Sequence, residues 1–438
     1  MIKLEELVKR EKNETVIFLN TTNFHWVKMS KRKFNEETST TERKEAFEKY
    51  LQERYQLLDE TENKEDEIQS VYFSVTGKCN LNCSFCTMNS GPHVGTENDL
   101  TLQEIKEELI PKLRKLSLKK IVITGGEPLV RMDIEEVLSL FAAEFGREKI
   151  VFQTNGLLLS PEFIKRNFER IGILEVSIEN LFDNPKLLAR METVFKAANE
   201  SDVFLSLSYV IDQKSLLYVY KGIDLCHKYH AALTTRIVTL MGRAKEDKTA
   251  KELALSEYAH IKIQHEIISY LLKKQYLEET LAGSYLADLQ PKQNCGAYGK
   301  ILAIHPDGTT YMCGNFKDKK FSMGNIRQLS IEEIQVDLKN KKQAEKYQQI
   351  FRVDKNKGCI GCEYQYFCPG PCAAEMAESE DRLAGTDKCI YTKLMLDYAM
   401  YYYRRNESIE SALTRIASYL NVVIFERFQG HKDFIKGE

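Results

Sequence analysis

Residues 73–91 read FSVTGKCNLNCSFCTMNSG, and the spacing Cys79-x3-Cys83-x2-Cys86 decides how the rest of the chain is read. The cysteines follow a strand-like run, residues 71–75, whose valines and aromatic residues suit a pleated, buried surface. Three thiolates so close in sequence can face one iron–sulfur cluster, yet a complete four-iron cluster is normally held by four cysteines. The missing ligand leaves one iron open to something else, and an open iron is a place for chemistry. A zinc knuckle, or a chance spacing, gives the same three residues. The stretches that follow separate these readings.

The strand-like KKIVIT ends at Thr124 and runs straight into Gly125-Gly126-Glu127-Pro128. VFQTNG ends a further strand at Thr154-Asn155-Gly156, and LEVSIEN ends another with Ser177, Glu179 and Asn180. In full, β-branched runs at residues 71–75, 120–124, 149–154, 174–178, 203–210 and 234–239 alternate with helical patterns. Thr101-x2-Glu104 and Asp133-x2-Glu136 have the form of capping boxes, and Pro161 suits a first helical turn. Repeated strand–helix units predict a parallel sheet with right-handed crossovers. Each motif falls at the C-terminal end of a strand, where parallel barrels keep their active sites.

With the aromatic Phe85 ahead of the third cysteine, this ordered set of motifs resembles the radical S-adenosylmethionine (SAM) superfamily. The resemblance implies an α/β fold, a partial (β/α)6 TIM-type barrel over residues 70–288, with a lateral opening for a bulky substrate. It implies that SAM binds the open iron of a cluster held by Cys79, Cys83 and Cys86, and is cleaved reductively to a 5′-deoxyadenosyl radical. Gly125, Gly126 and Glu127 stand where the family's GGE motif lets the backbone approach the methionine part of SAM and offers acceptors to its ammonium group. Asn155 stands with the cofactor-binding residues. Ser177 and Glu179 match the family's Ser-x-Asp position, near the ribose and carboxylate of SAM. The chain departs from the pattern there, with Glu179 for the commoner Asp and Asn180 for the usual following Gly. His93 reads as a loop histidine and Cys226 as a buried core thiol.

A second constellation lies beyond the barrel: Cys295-x12-Gly308-x4-Cys313, then Cys359-x2-Cys362-x5-Cys368-x3-Cys372, then Cys389. A hairpin turned at Pro306-Asp307-Gly308 would bring Cys295 and Cys313 together. Cys-x2-Cys pairs are also zinc ligands, so one or two structural zincs are the plain alternative. The pattern, with FSMGNI at residues 321–326, resembles the seven-cysteine SPASM domain, placed at residues 289–395. That resemblance implies one auxiliary cluster on Cys359, Cys362, Cys368 and Cys389, and another on Cys295, Cys313 and Cys372. Three 4Fe–4S clusters are then expected in all. The inner auxiliary set lacks a clear fourth cysteine, so either another residue completes it or it stays open to a substrate thiolate.

Bulk properties narrow the function classes. In 438 residues, 62 Lys and Arg balance 64 Asp and Glu, a net charge of −2, so no global positive field argues for nucleic acid. The charged start MIKLEELVKREKNE reads as helical and lacks the apolar core of a signal peptide. No run approaches the ~18 apolar residues of a membrane span. The expectation is a cytoplasmic protein that binds no membrane. Eleven cysteines, clustered in short ligand-like spacings without a secretory signal, favour metal over disulfides.

Ahead of the barrel, ETVIFLNTTNFHWVKMSKRKF reads as a hairpin, followed by a helix at residues 41–58 and an acidic linker. Residues 1–69 thereby resemble the start of the winged-helix peptide-recognition element found before many peptide-modifying radical SAM enzymes. Residues 256–275 read as a helix that finishes the barrel. Residues 396–438 read as a helical extension, with Ile409, Leu413, Ile416 and Leu420 on one face.

The expected function is cross-linking of a ribosomally made precursor peptide, through a thioether or a carbon–carbon bond. Such an enzyme, a sactisynthase-like maturase, has as partners a precursor peptide with its leader and an electron donor such as flavodoxin or ferredoxin. One alternative is sulfatase-maturing chemistry, oxidising a Cys or Ser side chain to formylglycine. Another is a non-enzymatic iron–sulfur or zinc scaffold, which has no use for Gly125-Gly126-Glu127. Cys79→Ala is expected to abolish SAM cleavage, read as 5′-deoxyadenosine release under anaerobic reduction. Cleavage at the normal rate in that variant refutes the mechanism.

Overall fold

The computed structural model describes residues 2–60, 67–212, 216–286, 289–378, 389–404 and 406–428. Its first element is an antiparallel sheet of β1 (Val8–Lys12), β2 (Thr15–Leu19) and β3 (Trp26–Ser30), followed by helices Lys31–Glu37 and Thr41–Tyr55. The charged residues before Asn13 were expected to be helical. Only Leu4–Glu6 makes a short helical turn; Val8–Lys12 pairs with β2 as an edge strand, and ladder pairing overrides local propensity.

β2 is apolar on both faces, and each face has its own partner. Val16 and Phe18 pack with Phe47, Leu51, Leu57 and Leu58 of the following helix and its end. Ile17 and Leu19 face the other way, onto Leu289, Tyr364, Phe367 and Met400 of the cysteine-rich and C-terminal segments. Trp26 meets the ring of Phe367 edge-on, with centroids 5.6 Å apart. The buried Asn20 amide donates to the carbonyls of Leu57 at 2.9 Å and Asp59 at 2.8 Å, which holds the end of the second helix against the sheet. Among the described residues this element has two helices and no third ahead of the barrel.

Six parallel strands follow in sequential order: β4 (Ser70–Ser74), β5 (Lys120–Thr124), β6 (Ile150–Thr154), β7 (Ile173–Ser177), β8 (Phe204–Ile211) and β9 (Ala232–Ile237). Each lies within two residues of the run read from the sequence. The crossover helices bury one stripe, as in Ile134–Phe145, where Ile134, Val137, Leu138 and Phe141 recur at helical spacing. The Thr101 capping box forms in both directions. The expected box at Asp133 does not, because Arg131 takes that carboxylate, Nε to Oδ1 at 2.6 Å. Ser160 caps the helix that Pro161 begins.

The hairpin at Asp307-Gly308 forms, as β10 (Ile301–Ile304) and β11 (Thr310–Tyr311), but it does more than bring two cysteines together. β10 pairs in parallel with β4, so the hairpin extends the barrel sheet to eight strands in the order β11-β10-β4-β5-β6-β7-β8-β9. The sheet stays open between β11 and β9. Helix Glu257–Lys274 packs against the last helix, Ile409–Arg427, whose Ala412, Leu413, Ile416 and Leu420 are buried. One hydrophobic core runs without a break from the barrel through the hairpin into these helices.

Leu19→Ala is expected to loosen the N-terminal sheet from the cysteine-rich segment and to cost about 2–5 kcal/mol. Trp26, the chain's single tryptophan, stands at that contact, so its fluorescence reports unfolding directly. An unshifted denaturation midpoint would show that the contact contributes little.

Candidate active site

The loops at the C-terminal ends of β4 to β9 enclose a cavity of about 500 Å³. Cys79, Cys83 and Cys86 line it together with Gly125, Gly126, Asn155, Ser177 and Glu179. The fold thus brings these sequence-predicted residues to one place, with Glu127 immediately behind the wall. His93 and Cys226 lie outside the cavity, and Cys226 is buried in the barrel core.

The cysteine loop is fixed at its start by the neighbouring motif. Gly126 N–H donates to Thr76 O at 2.8 Å and Glu127 N–H to Lys78 O at 2.9 Å, so the pairing of β4 with β5 continues past the strands. A Cβ on Gly125 would lie 2.5 Å from Thr76 O, and one on Gly126 would lie 2.3 Å from Lys78 O. Two glycines are required here because backbone passes backbone.

Glu127 is fully buried and already satisfied. Its Oε1 accepts from Leu129 N–H at 3.0 Å and the Thr154 hydroxyl at 2.8 Å, and its Oε2 accepts from Asn155 N–H at 2.7 Å. Burial pushes the carboxyl pKa up while these donors hold it down. The side chain therefore ties the β5 loop to the end of β6, and the motif presents Gly125 and Gly126 to the cavity. Asn155 extends the tie to the cysteine loop, its amide donating to Asn80 Oδ1 at 2.7 Å and approaching Cys79 Sγ at 3.8 Å. Glu179 accepts from Val210 N–H at 2.7 Å, and burial pushes its pKa up.

The thiols fall into three neighbourhoods. Burial, with Cys86 and Cys79 close by, pushes Cys83 up to about 11. Burial beside Cys372 and Cys295 likewise pushes Cys313 up to about 11. Burial beside Cys368, Cys389 and Cys362 pushes Cys359 up to about 12. Thiols crowded and desolvated in this way resist becoming thiolates together unless cations compensate them, which is the environment that iron ligation relieves. No cysteine is in a disulfide. Donor sets of this chemistry suit iron–sulfur clusters. Cys368, Cys372 and Cys389 share a second cavity of about 250 Å³ with Glu375, Ile237 and Thr239, and the last two also line the first cavity.

Glu175 and Arg236, joined by a 3.1 Å ion pair, also line the main cavity and were not singled out from sequence. The available signal was period-2 alternation, since Glu175 shares its strand face with Ser177.

The description "Radical SAM superfamily" matches residues 73–207, and the iron–sulfur cluster-binding SPASM domain matches residues 295–363. The chain carries a radical SAM domain and a SPASM domain. It is an enzyme whose domains imply SAM and iron–sulfur clusters as cofactors. It is similar to the AdoMet-dependent heme synthase of Methanosarcina barkeri, 24% identical over 355 residues, covering 73% of this chain and 96% of that protein. It is also similar to the GTP 3′,8-cyclase of Peptoclostridium acidaminophilum, 37% identical over 120 residues, covering 27% of this chain and 36% of the cyclase. Among solved structures, anSMEcpe with bound AdoMet superposes with a TM-score of 0.59 at 16% identity, covering 81% of this chain and 98% of that one. Streptococcus suis SuiB bound to precursor peptide SuiA gives a TM-score of 0.56 at 13% identity, covering 87% and 98%. These structural likenesses establish a shared fold. Among the described residues, no helix is long and apolar enough to cross a membrane.

Gly126→Ala is expected to drive Lys78 O away and to displace the radical SAM cysteine loop. Iron and labile sulfide should fall by the content of one cluster, with the SPASM cysteines still loaded. Full loading with normal SAM affinity would refute this account of the motif.

Proposed function

We propose that this radical SAM enzyme modifies a ribosomally made precursor peptide, joining two of its residues through a thioether or a carbon–carbon bond. The observation that carries this reading is the seating of the N-terminal element. Its sheet lies directly on the segment between Cys362 and Cys368, through Ile17, Leu19 and Trp26 against Tyr364 and Phe367. Lys12 of β1 adds a 2.6 Å ion pair to the buried Asp397, which also accepts from Tyr364 and Tyr419. A leader held on that element would sit beside the segment that carries Cys362 and Cys368.

On this reading Cys79, Cys83 and Cys86 hold the cluster that binds SAM. Cys359, Cys362, Cys368 and Cys389 hold one auxiliary cluster, and Cys295, Cys313 and Cys372 hold the other, three 4Fe–4S clusters in all. SAM and its cluster supply a carbon radical able to take hydrogen from an unactivated C–H bond. The protein positions that bond and excludes water. Gly125 and Gly126 would offer main-chain atoms to the methionine part of SAM, Ser177 and Glu179 would serve its ribose and carboxylate, and Asn155 steadies the cysteine loop. Glu127 is a positioning residue. A low-potential donor, flavodoxin or ferredoxin, supplies the electron in the cytoplasm. Residues 1–69, 70–288, 289–395 and 396–438 serve as recognition element, barrel, auxiliary domain and helical brace.

The test is tandem mass spectrometry of a precursor peptide encoded beside this gene, after anaerobic co-expression with the enzyme. Loss of two hydrogens per modification, with no fragments between the linked residues, is expected. An unchanged peptide in cells where SAM is cleaved refutes peptide cross-linking and favours sulfatase-type maturation.

A further inference from the structure

Two cations lie against the loop that carries Cys83 and Cys86, and the proposed reaction uses neither. Arg243, which opens the short helix Arg243–Glu246 after β9, donates from Nη1 to Cys83 O at 2.8 Å and from Nη2 to Ser90 O. Its backbone N–H donates to Cys86 O at 3.1 Å. Lys317, four residues beyond Cys313 in the chain, donates from Nζ to Thr87 O. Gly242 fits beneath both: its φ is +56°, and a Cβ there would lie 2.2 Å from Thr87 O.

Neither cation forms an ion pair with a carboxylate among the described residues; both are spent on neutral carbonyls of one loop. The charges that bear on Lys317 include those of Cys86, Glu378 and Arg243. Half-burying two cations is costly, and the negative groups that act on Lys317 are Cys86 and Glu378. That cost is offset if the loop itself carries net negative charge, as three thiolates around an iron–sulfur core do. Net charge, hydrogen bonding and exposure set the potential of such a cluster. One-electron reduction adds one negative charge and breaks no bond, so a nearby fixed cation favours the reduced form.

We propose that Arg243 and Lys317 are positioning residues that raise the reduction potential of the SAM-binding cluster, and that Lys317, through its tether to Cys313, makes that potential depend on the inner auxiliary site. The proposal rests on Cys79, Cys83 and Cys86 holding that cluster. The electron comes from the low-potential donor protein, and no proton or leaving group is involved. Lys317 is placed by the segment that runs on from β11 through Cys313. An auxiliary site that has lost its ligand leaves Lys317 less firmly held over Thr87.

The experiment is a redox titration of the anaerobically reconstituted full-length enzyme, poised with dithionite and followed by electron paramagnetic resonance. SAM addition identifies the first cluster by the change it causes in that cluster's spectrum. Lys317→Gln and Arg243→Gln are each expected to lower the midpoint of the SAM-responsive signal so that the reduced-to-oxidised ratio falls about tenfold, about 59 mV for one electron. Iron content and the auxiliary midpoints should stay as in the parent enzyme, and Lys317→Arg should restore the parent value. Cys313→Ala, with the first cluster still loaded, should shift that midpoint in the same direction. An unmoved midpoint in Lys317→Gln and Arg243→Gln overturns the proposal. So does loss of the SAM-responsive signal in Lys317→Gln and Lys317→Arg alike, since the role is then structural only. A parent value in Cys313→Ala overturns the link to the auxiliary site. A parent enzyme with no SAM-responsive signal overturns the assignment of Cys79, Cys83 and Cys86 as well, and so is distinguishable from failure of the tuning alone.

Discussion

The main-chain pairing of residues 125–127 with residues 76–78 is the constraint on which the site depends. It is an extension of the β4–β5 ladder by two hydrogen bonds, and it works only because Gly125 and Gly126 lack side chains. Where the strands end, the chain would otherwise splay into independent loops. Here the loop that carries the cysteines starts from a position set by the sheet. Glu127 then passes the constraint on, since its carboxylate grips the end of β6 through Thr154 and Asn155, and Asn155 returns to Asn80. One buried carboxylate locks the ends of β5 and β6 together, main-chain bonds and the Asn155 amide add the end of β4, and a buried acceptor with three donors is costly to disturb.

Much of this architecture was legible in the sequence because it rests on local signals. The six parallel strands announced themselves by β-branched runs between capped helices, and Cys79, Cys83, Cys86, Gly125, Asn155 and Ser177 fall at or just beyond strand ends, where loops must converge. What stayed hidden depends on pairing across long sequence separations. β1 was read as helical because its edge pairing with β2 has no local signature. Asp133 has the form of a cap, yet its carboxylate goes to Arg131, which also donates to Val75 O at 2.9 Å and so serves the barrel instead. Arg243 and Lys317 reach the cysteine loop from 160 and 230 residues away in sequence, so no spacing rule points to them.

The two apolar faces of β2 make the N-terminal element a layer between its own helix and the cysteine-rich segment. A strand buried on both sides reads as a continuous apolar run, which is how TVIFL appears in the sequence. Alternate residues of one strand thus hold the element together, through Val16 and Phe18, and orient it on Tyr364 and Phe367, through Ile17 and Leu19, so its position is a property of its fold rather than of a linker.

The parallel pairing of β10 with β4 has a mechanical consequence. The strand that launches the first cysteine loop and the hairpin that leads to Cys313 are neighbours in one hydrogen-bonded sheet, about 4.8 Å apart. Neither can shift against the other without breaking that ladder and the continuous core behind it. The pairing therefore couples the start of the first cysteine loop to the hairpin that leads to Cys313. Breathing that admits a large substrate then falls to the two unpaired margins of the sheet, β11 and β9.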